Sequence, residues 1–324
     1  MTRLLVTGSS GHLGEALMRV LRADGEDVIG LDVAPGEFTD VVGSIGDRDL
    51  VGDLLDGVGA VINAATLHKP HVGTKSWEQF VEVNVLGTLV LLEESVSAGV
   101  EAFVFTSSTS AFGRALRPGE GAPAAWITED VISIPRNIYG VTKTSAENIC
   151  ELVHRDTGLP IVVLRTSRFF PEGDDAPDQR AAFDNQNLKV NELLHRRVDI
   201  EDAVAAHRLA VERASDIGFD RFIISATTPF VREDVEQLAV DMPSVVARYM
   251  PEYEAVFASR GWQMLPSADR VYDNTHARDA LGWRPKYDFA YAVGRVRRGE
   301  DPRSALSIDV GAKGYAGSSE TYAP

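Results

Sequence analysis

Cysteine, long apolar runs and net positive charge are all scarce in this sequence, and each shortage excludes something. Cys150 is the single cysteine among 324 residues, so the chain cannot form an intrachain disulfide bond. The lack of disulfides suits a reducing compartment, and we expect a cytoplasmic protein. Because Cys150 falls within a predicted helix, we interpret it as a small core residue and not as a nucleophile.

No window of the sequence approaches the roughly 20 apolar residues that a membrane-spanning helix needs. The apolar stretch 81–92 is interrupted by polar residues such as Glu82 and Asn84. The apolar run at 4–6 is too short to be the hydrophobic region of a signal peptide. We therefore expect neither a membrane span nor a secretory signal.

The formal net charge of the chain is -16 at pH 7. Such a chain is repelled by phosphate backbones and by anionic membranes, which argues against nucleic acid as the main partner. An anionic substrate would have to find local positive charge.

The first 165 residues alternate between short β-branched runs and helical segments. Strands that are apolar on both faces and alternate with helices indicate a parallel sheet covered on both sides. The predicted fold is therefore α/β, a doubly wound parallel sheet of the Rossmann type. The predicted strands are 4–7, 28–31, 60–63, 103–106 and 161–164, and the predicted helices are 12–24, 47–56, 76–98 and 138–156.

This alternation stops after residue 165, where an acidic, glycine- and proline-rich loop follows. We predict a dinucleotide-binding domain at 1–166, rejoined by 198–228, and a smaller, discontinuous substrate-binding lobe at 167–300. The glycine- and serine-rich tail 301–324 is interpreted as a flexible end, with a cover for the site or for a neighbouring subunit as the alternative. Beyond the first domain we predict helices at 179–197 and 200–213 and a strand at 221–225.

The turn between the first predicted strand and the first predicted helix is rich in glycine. Gly8 permits a tight turn, Gly11 lets the backbone approach a pyrophosphate, and Gly14 lets the helix pack closely on the strand. The helix N-terminus adds free N–H groups and a positive partial charge. The predicted cofactor-binding motif is Gly8-Ser9-Ser10-Gly11-His12-Leu13-Gly14.

The second predicted strand is followed by an acidic residue, Asp32. A carboxylate at this position can accept hydrogen bonds from both hydroxyls of a ribose. It would repel a 2′-phosphate, and no arginine follows it directly. The sequence therefore favours NAD over NADP as the cofactor.

Tyr139 and Lys143 lie one helical turn apart on the same face of a predicted helix. A tyrosine titrates near 10 and is almost never ionised at pH 7. A fixed ammonium nearby, together with the positive charge of a nicotinamide, favours the phenolate, so we expect the two charges to lower the pKa of Tyr139. The tyrosine could then take the proton of a substrate hydroxyl while hydride leaves for a nicotinamide.

Residues 3–290 resemble the extended short-chain dehydrogenase/reductase superfamily, the group that includes the NAD-dependent nucleotide-sugar epimerases and dehydratases. The resemblance is carried, in order, by GSSGHLG, Asp32, INAAT, VNVLGT, FTSSTSAFG, YGVTK, VVLR, VDIEDAV and DNTHARDALGWRPKY. It implies an NAD-dependent enzyme that acts on a carbohydrate-like small molecule.

The resemblance also assigns roles to individual residues. Tyr139 is the expected acid/base, and Lys143 also holds the nicotinamide ribose. Ser108 is expected to hydrogen-bond the reacting oxygen, with Ser107 as the neighbouring candidate. Four further residues are expected at the cofactor: Asn63, Ala64 and Ala65 after a strand, and Asn84 on a helix.

Three departures from the family pattern bear on the substrate. Sugar 4,6-dehydratases carry an Asp-Glu pair just after the serine, where this chain has Thr109 and Ser110, so dehydration is disfavoured.

Many nucleotide-sugar epimerases have an asparagine in the region where this chain has Arg168. Arg168 could grip a phosphate or carboxylate, or form an ion pair with the acidic loop that follows. A glycine-rich hairpin of the family is also absent, which favours a free sugar, sugar acid or other polyol.

The loop after the strand at 60–63 contains His68, Lys69 and His71. His68 and Lys69 are candidate substrate contacts, and Thr109 and Ser107 are two more. Pro70 predicts an extended loop, and no nearby cysteine or acid completes a metal site, so we expect no metal. The basic run 195–197 is interpreted as a solvated helix end, with anion binding as the alternative.

The motifs leave the net reaction open. An epimerase oxidises a carbinol and returns the hydride to the opposite face, whereas a simple dehydrogenase releases NADH after each turnover. A third alternative is a regulator that binds NAD without turnover. The helix predicted over 76–98 is apolar on more than one face, which together with the family resemblance predicts a homodimer.

Overall fold

The computed structural model describes residues 3–173 and 177–314. The described strands are β1 (Arg3–Thr7), β2 (Val28–Asp32), β3 (Val41–Val42), β4 (Val58–Asn63), β5 (Ala102–Ser108), β6 (Ala125–Ile127), β7 (Ile161–Thr166), β8 (Phe219–Ile224) and β9 (Arg270–Tyr272). Seven of them form one sheet in the order β3-β2-β1-β4-β5-β7-β8, and all its neighbours run parallel. The predicted fold class, a doubly wound parallel sheet, is confirmed.

The described helices are α1 (His12–Ala23), α2 (Arg48–Leu54), α3 (Trp77–Val81), α4 (Gly87–Ser97), α5 (Ile138–Thr157), α6 (Pro177–Ala182), α7 (Asn185–Glu192), α8 (Ile200–Ile217), α9 (Val235–Leu238), α10 (Met242–Tyr249), α11 (Tyr253–Arg260), α12 (Thr275–Ala280), α13 (Phe289–Arg297) and α14 (Ala305–Val310). Among the described helices, none is both long and apolar enough to cross a membrane.

Alternate residues of each central strand face opposite layers of helices. Leu4 and Val6 of β1 pack in one cluster with α1 and α8. Leu5, between them, packs in a second cluster with α2, α4 and α5. Cys150 is fully buried in that second layer, as predicted. This two-sided burial explains why the strands are apolar throughout.

Of two long helices predicted from the sequence, one is continuous and the other is divided. The segment predicted over 76–98 is helical from Trp77 to Ser97 and consists of α3, a π-helical turn at Glu82–Leu86, and α4. The segment predicted over 179–197 is divided into α6 and α7, and helix α7 ends at Glu192. The Asp184 carboxylate caps α7 by accepting from the N–H groups of Gln186 and Asn187.

A separate core lies outside the main sheet. It joins α7, α10, α11 and α13, and the short pair β6–β9 lies beside it. Strand β8, close to the predicted 221–225, returns to the main sheet beside β7. The division into lobes at residues 166 and 300 stays a prediction.

Part of the predicted flexible tail is ordered. Residues 305–310 form α14, and Val310 is buried against the layer of α1 and α8. The prediction of a flexible end is therefore wrong for this part. The rest of the predicted flexible end, residues 315–324, lies outside the described residues.

Candidate active site

A cavity of about 910 Å³ opens at the carboxyl ends of the central strands. Its walls include Gly8 after β1, Asp32 at the end of β2, Ala64 after β4, Ser108 at the end of β5 and Thr166 at the end of β7. This edge of an open parallel sheet is where ligands bind in doubly wound folds. The predicted glycine motif and the predicted catalytic residues therefore meet at one cavity.

The glycine turn is packed so tightly that side chains are excluded from it. Gly8 has φ +72°, and a Cβ there would lie 2.8 Å from the backbone nitrogen of Ala65. A Cβ at Gly14 would lie 1.9 Å from the Gly8 carbonyl oxygen. Gly11 precedes α1 without a side-chain cap, so the first N–H groups of α1 are directed to the cavity edge. The turn fits a dinucleotide pyrophosphate.

Asp32 connects this turn to the end of β2. Its carboxylate accepts hydrogen bonds from the N–H of Ser10 at 3.0 Å and from the N–H of Ala34 at 2.9 Å. Asp32 also lines the cavity, as do His12, Leu13, Ala64 and Ala65. The carboxylate is thus held at the place where a ribose of the cofactor is expected.

Tyr139, Ser108 and Lys143 lie together at the other end of the cavity. Ser108 lies next to the Tyr139 hydroxyl and lowers its pKa. Lys143 Nζ donates to the Thr106 carbonyl oxygen at 2.8 Å and lies 4.7 Å from the centre of the Phe105 ring. Both Tyr139 and Lys143 are buried, on the face of α5 that packs on β5.

Burial dominates the electrostatics of this pair. It raises the pKa of Tyr139 to about 12, against the opposing effect of Ser108. Burial also lowers the pKa of Lys143 to about 7, although Glu147 favours its charged form. The expected lowering of the Tyr139 pKa by Lys143 and a nicotinamide concerns the cofactor-bound site and stays a prediction.

The structure separates the two candidate serines. Ser107 Oγ donates to Glu147 Oε1 at 2.5 Å, whereas Ser108 is the serine that acts on the pKa of Tyr139. Glu147 is buried and forms a salt bridge with Arg165 Nη2 at 2.8 Å. Sequence analysis missed this network, although Glu147 follows Lys143 by one further helical turn.

Asn63 and Asn84, predicted to touch the cofactor, are absent from the cavity wall and are fully buried. Asn63 accepts from the Thr7 hydroxyl at 2.8 Å and donates to the Thr88 hydroxyl at 3.3 Å. That part of the prediction is therefore corrected: Asn63 joins β1, β4 and α4 behind the site.

Asn84 supports the site from the π-helical turn. Its amide accepts from the Leu67 N–H and donates to the Leu67 carbonyl, both at 2.8 Å. The same amide donates to the Thr142 hydroxyl at 3.0 Å, one residue before Lys143. Asn84 thus joins the loop after β4 to the helix that carries the tyrosine and the lysine.

The loop after β4 is compact. Lys69–His71 form a 3-10 turn, so the extended loop predicted from Pro70 is wrong. His68 and Lys69 line the cavity, and so do Thr109 and Ser107. Burial lowers the pKa of His68 to about 3, so its ring is neutral at pH 7. No group of three metal-binding side chains occurs in 3–173 or 177–314.

Arg168 lines the cavity and pairs with the end of helix α7. Its guanidinium lies 3.6 Å from Glu192 Oε1 at the end of α7. Glu192 is buried and also pairs with Arg196 at 2.9 Å and Arg197 at 2.8 Å. His195 and Arg197 are buried too, so the solvated helix end predicted at 195–197 is wrong.

Sequence analysis also missed three arginines of the cavity wall, Arg117, Arg136 and Arg270. They come from three distant segments, and no local pattern marks them.

Comparison with known proteins places the chain among enzymes. The sequence pattern described as the NAD dependent epimerase/dehydratase family matches residues 4–222. The UDP-glucose 4-epimerase of Lactobacillus helveticus is 26% identical over 321 residues, which cover 88% of this chain and 93% of that protein. The NAD-dependent glucose-6-phosphate dehydrogenase of Haloferax volcanii is 29% identical over 178 residues, 50% of this chain and 66% of that protein.

A solved structure has the same fold. The crystal structure of a short-chain dehydrogenase/reductase superfamily protein from Agrobacterium tumefaciens, with NAD bound, superposes with a TM-score of 0.63. It covers 92% of this chain and 97% of that protein's chain, at 24% sequence identity.

Proposed function

Because the chain belongs to the NAD dependent epimerase/dehydratase family, with NAD as its cofactor, we propose that it epimerises a secondary alcohol of a carbohydrate by reversible hydride transfer. The observation that carries this proposal is the meeting of Tyr139, Ser108 and Lys143 with the glycine turn in one cavity. Near-complete alignment with a protein named UDP-glucose 4-epimerase supports epimerisation as the net reaction.

The chain's own residues handle the proton. A substrate hydroxyl placed beside Tyr139 and Ser108 gives its proton to the Tyr139 oxygen, and Ser108 keeps the reacting oxygen in place. NAD, when bound, supplies the hydride acceptor and a positive charge that favours the phenolate. The Tyr139 proton returns to the substrate oxygen when the ketone is reduced from its opposite face.

The pair Asp-Glu that dehydration would use is replaced by Thr109 and Ser110 in the cavity wall. Neither side chain can act as the acid or base for loss of water at neutral pH. We therefore place dehydration behind epimerisation.

A dehydrogenase is the second candidate. A relative named NAD-dependent glucose-6-phosphate dehydrogenase aligns with half of this chain. The cavity is also lined by several arginines, which suits a small anionic substrate. The two candidates use the same tyrosine, lysine and serine and differ in whether the cofactor is kept.

Cofactor retention separates them. The protein is purified without added cofactor and denatured, and the released nucleotide is identified by chromatography. About one NAD per chain supports epimerisation with a retained cofactor. Protein that is free of NAD and binds it reversibly contradicts that mechanism and favours the dehydrogenase.

The role of Tyr139 has its own test. We expect Tyr139→Phe to lower the turnover rate at least about 100-fold while NAD binding is kept. Tyr249→Phe is the matched control. The Tyr249 hydroxyl bonds to Asp234, away from the cavity, and its loss should not affect the rate. Unchanged turnover in Tyr139→Phe would contradict the proposal.

A further inference from the structure

The wall of the cavity is divided by charge. Its acidic residues lie at the cofactor end: on α1, after β2 and beside His12 of the glycine turn. Its arginines are grouped on the remaining wall, namely Arg117, Arg136, Arg168, Arg196 and Arg270. The net charge of the chain is -16, so the positive charge of this group is opposite in sign to the average charge of the surface.

Two of these arginines are brought together by a backbone contact. Gly113 has φ +57°, and a Cβ there would lie 2.0 Å from the Ile134 carbonyl oxygen. The Arg114 N–H donates to that same oxygen at 2.8 Å. The segments that carry Arg117 and Arg136 are therefore fixed side by side, and Arg136 directly precedes the Asn137 cap of α5.

The third arginine comes from the small sheet. Arg270 in β9 is the register partner of Ala125 in β6, the strand that follows the Arg117 segment. Arg270 forms an ion pair with its neighbour Asp269 at 2.6 Å, while its buried Nε has no hydrogen-bond partner among the described residues. Arg270 thus has unused hydrogen-bonding capacity at the cavity wall.

The charges of Arg117 and Arg136 have no compensating partner among the described residues. Within the described ranges, the side chains of Arg117 and Arg136 make no hydrogen bond or salt bridge. Burial, together with the guanidinium groups of Arg117, Arg114 and Arg270, lowers the pKa of Arg136. Positive groups that lie close together repel each other and destabilise a fold, unless a bound anion offsets the repulsion.

We propose that Arg117, Arg136 and Arg270 form a subsite that binds an anionic group of the substrate, a carboxylate or a phosphate. Guanidinium groups bind both anions with paired hydrogen bonds. Arg136 lies three residues before Tyr139, just outside the N-terminus of α5, so the subsite fixes the anion close to the reacting carbon. The substrate class is then an acidic or phosphorylated carbohydrate, an inference that rests on the proposed hydride transfer for its reaction and not for its binding.

Calorimetry on the NAD-saturated full chain tests the subsite, because bound NAD covers the glycine turn. The probes are inorganic phosphate, glucuronate, glucose 6-phosphate and the neutral sugar glucose. We expect an anionic probe to bind at least about tenfold more tightly than glucose. A stronger response to glucuronate assigns a carboxylate, and a stronger response to the phosphates assigns a phosphate.

The variant R117Q/R136Q removes the exposed pair of charges. We expect it to lose the anion preference by about tenfold or more, with unchanged NAD affinity and melting temperature. R260Q, an exposed arginine of α11 outside the cavity wall, is the control and should change affinity by less than about twofold. Anion binding that is absent from the wild type, or equal in R117Q/R136Q, overturns the subsite.

The two proposals fail separately. Anion binding that depends on these arginines, with no product formed in the presence of NAD, supports the subsite and contradicts the hydride-transfer function. Turnover that depends on Tyr139 but is equal for neutral and anionic sugars, in wild type and variant alike, keeps the function and overturns the subsite.

Discussion

At the scale of single residues, the main electrostatic cost at the site is the burial of Lys143. Its ammonium is 2% exposed and donates to one carbonyl oxygen, that of Thr106. Burial lowers its pKa to about 7 from a usual value of 10.5. The unfolded chain therefore binds more protons than the folded chain between pH 7 and pH 10.5, and this group's contribution to stability rises with pH in that window.

We expect Lys143→Met to abolish turnover and to stabilise the cofactor-free protein. Methionine fills a similar volume without a buried charge, so the gain is on the order of 3 kcal/mol at pH 7. The gain should shrink as the pH rises from 7 towards 10.5, because Lys143 is neutral in the folded chain and the cost of deprotonating it in the unfolded chain falls. Urea unfolding of both proteins at pH 7 and pH 9.5 measures the difference.

Lys75→Met serves as the control, because Lys75 is exposed. Its effect on stability should be small at both pH values. A stability difference between wild type and Lys143→Met that does not vary with pH would show that Lys143 is not neutralised by burial.

Sequence analysis located Tyr139, Lys143, Ser108 and the glycine turn because each belongs to a short local motif. The family resemblance already favoured Ser108 over Ser107, and the structure adds a physical reason, because Ser107 bonds to Glu147. The arginine subsite was out of reach for a different reason. Its members are brought together by a glycine contact and a small sheet, which no spacing in the chain encodes.

At the scale of secondary-structure elements, the π-helical turn at Glu82–Leu86 decides where Asn84 points. An extra residue in the turn widens the helix, and such turns occur frequently at functional sites. Here it directs the Asn84 amide to both backbone groups of Leu67 and to Thr142. The loop that carries His68 is thereby held against α5.

We expect Asn84→Ala to free this loop. The Leu67 N–H would lose its acceptor, so its hydrogen exchange should become faster by about tenfold or more. Turnover should fall because His68 and Lys69 no longer keep their places in the wall. Hydrogen-exchange mass spectrometry of the peptide around residue 67, together with the steady-state rate, measures both effects.

Asn185→Ala gives the comparison for this experiment, since Asn185 is an exposed asparagine of α7. It should leave exchange at residue 67 unchanged. Equal exchange in wild type and Asn84→Ala would mean that the loop is held by other contacts.

The elements were predicted unevenly for physical reasons. The five long strands and α1 were placed to within two residues, because apolar runs and glycines mark their ends. The π-helical turn inside the helix predicted over 76–98 left no trace in the hydrophobic pattern, since it contains no proline or glycine. Strands β6 and β9 have three residues each, too few to show alternation.

At the scale of the whole molecule, α3, α4 and α5 expose apolar side chains on neighbouring helices. Trp77 is 76% exposed, and Leu86, Val96, Val141 and Leu152 are exposed as well. Single exposed apolar residues are ordinary, whereas a group on packed helices marks an interaction surface. The sequence predicted a dimer from the first of these helices, and the structure adds α5 to the same side.

We expect the protein to be a homodimer through these helices. Light scattering after size exclusion should give about twice the chain mass of 35.2 kDa for the wild type. Leu86→Glu combined with Val141→Glu should give the mass of one chain. In a two-fold symmetric interface each new carboxylate is present on both chains, so every substitution buries two charges. Val240→Glu, at an equally apolar residue that is 75% exposed beyond α9, should leave the dimer intact.

The outcome also bears on the site, since Asn84 and the exposed Leu86 share one π-helical turn. The double variant could be monomeric, turn over more slowly and show faster hydrogen exchange at residue 67. That result would mean that dimer contacts stabilise the π-helical turn, which in turn stabilises the loop after β4. If it is monomeric at full rate, the turn is stable within one chain and the interface has no part in catalysis. A wild type that is monomeric at tens of micromolar would contradict the predicted homodimer and leave the apolar face without a second copy to cover it.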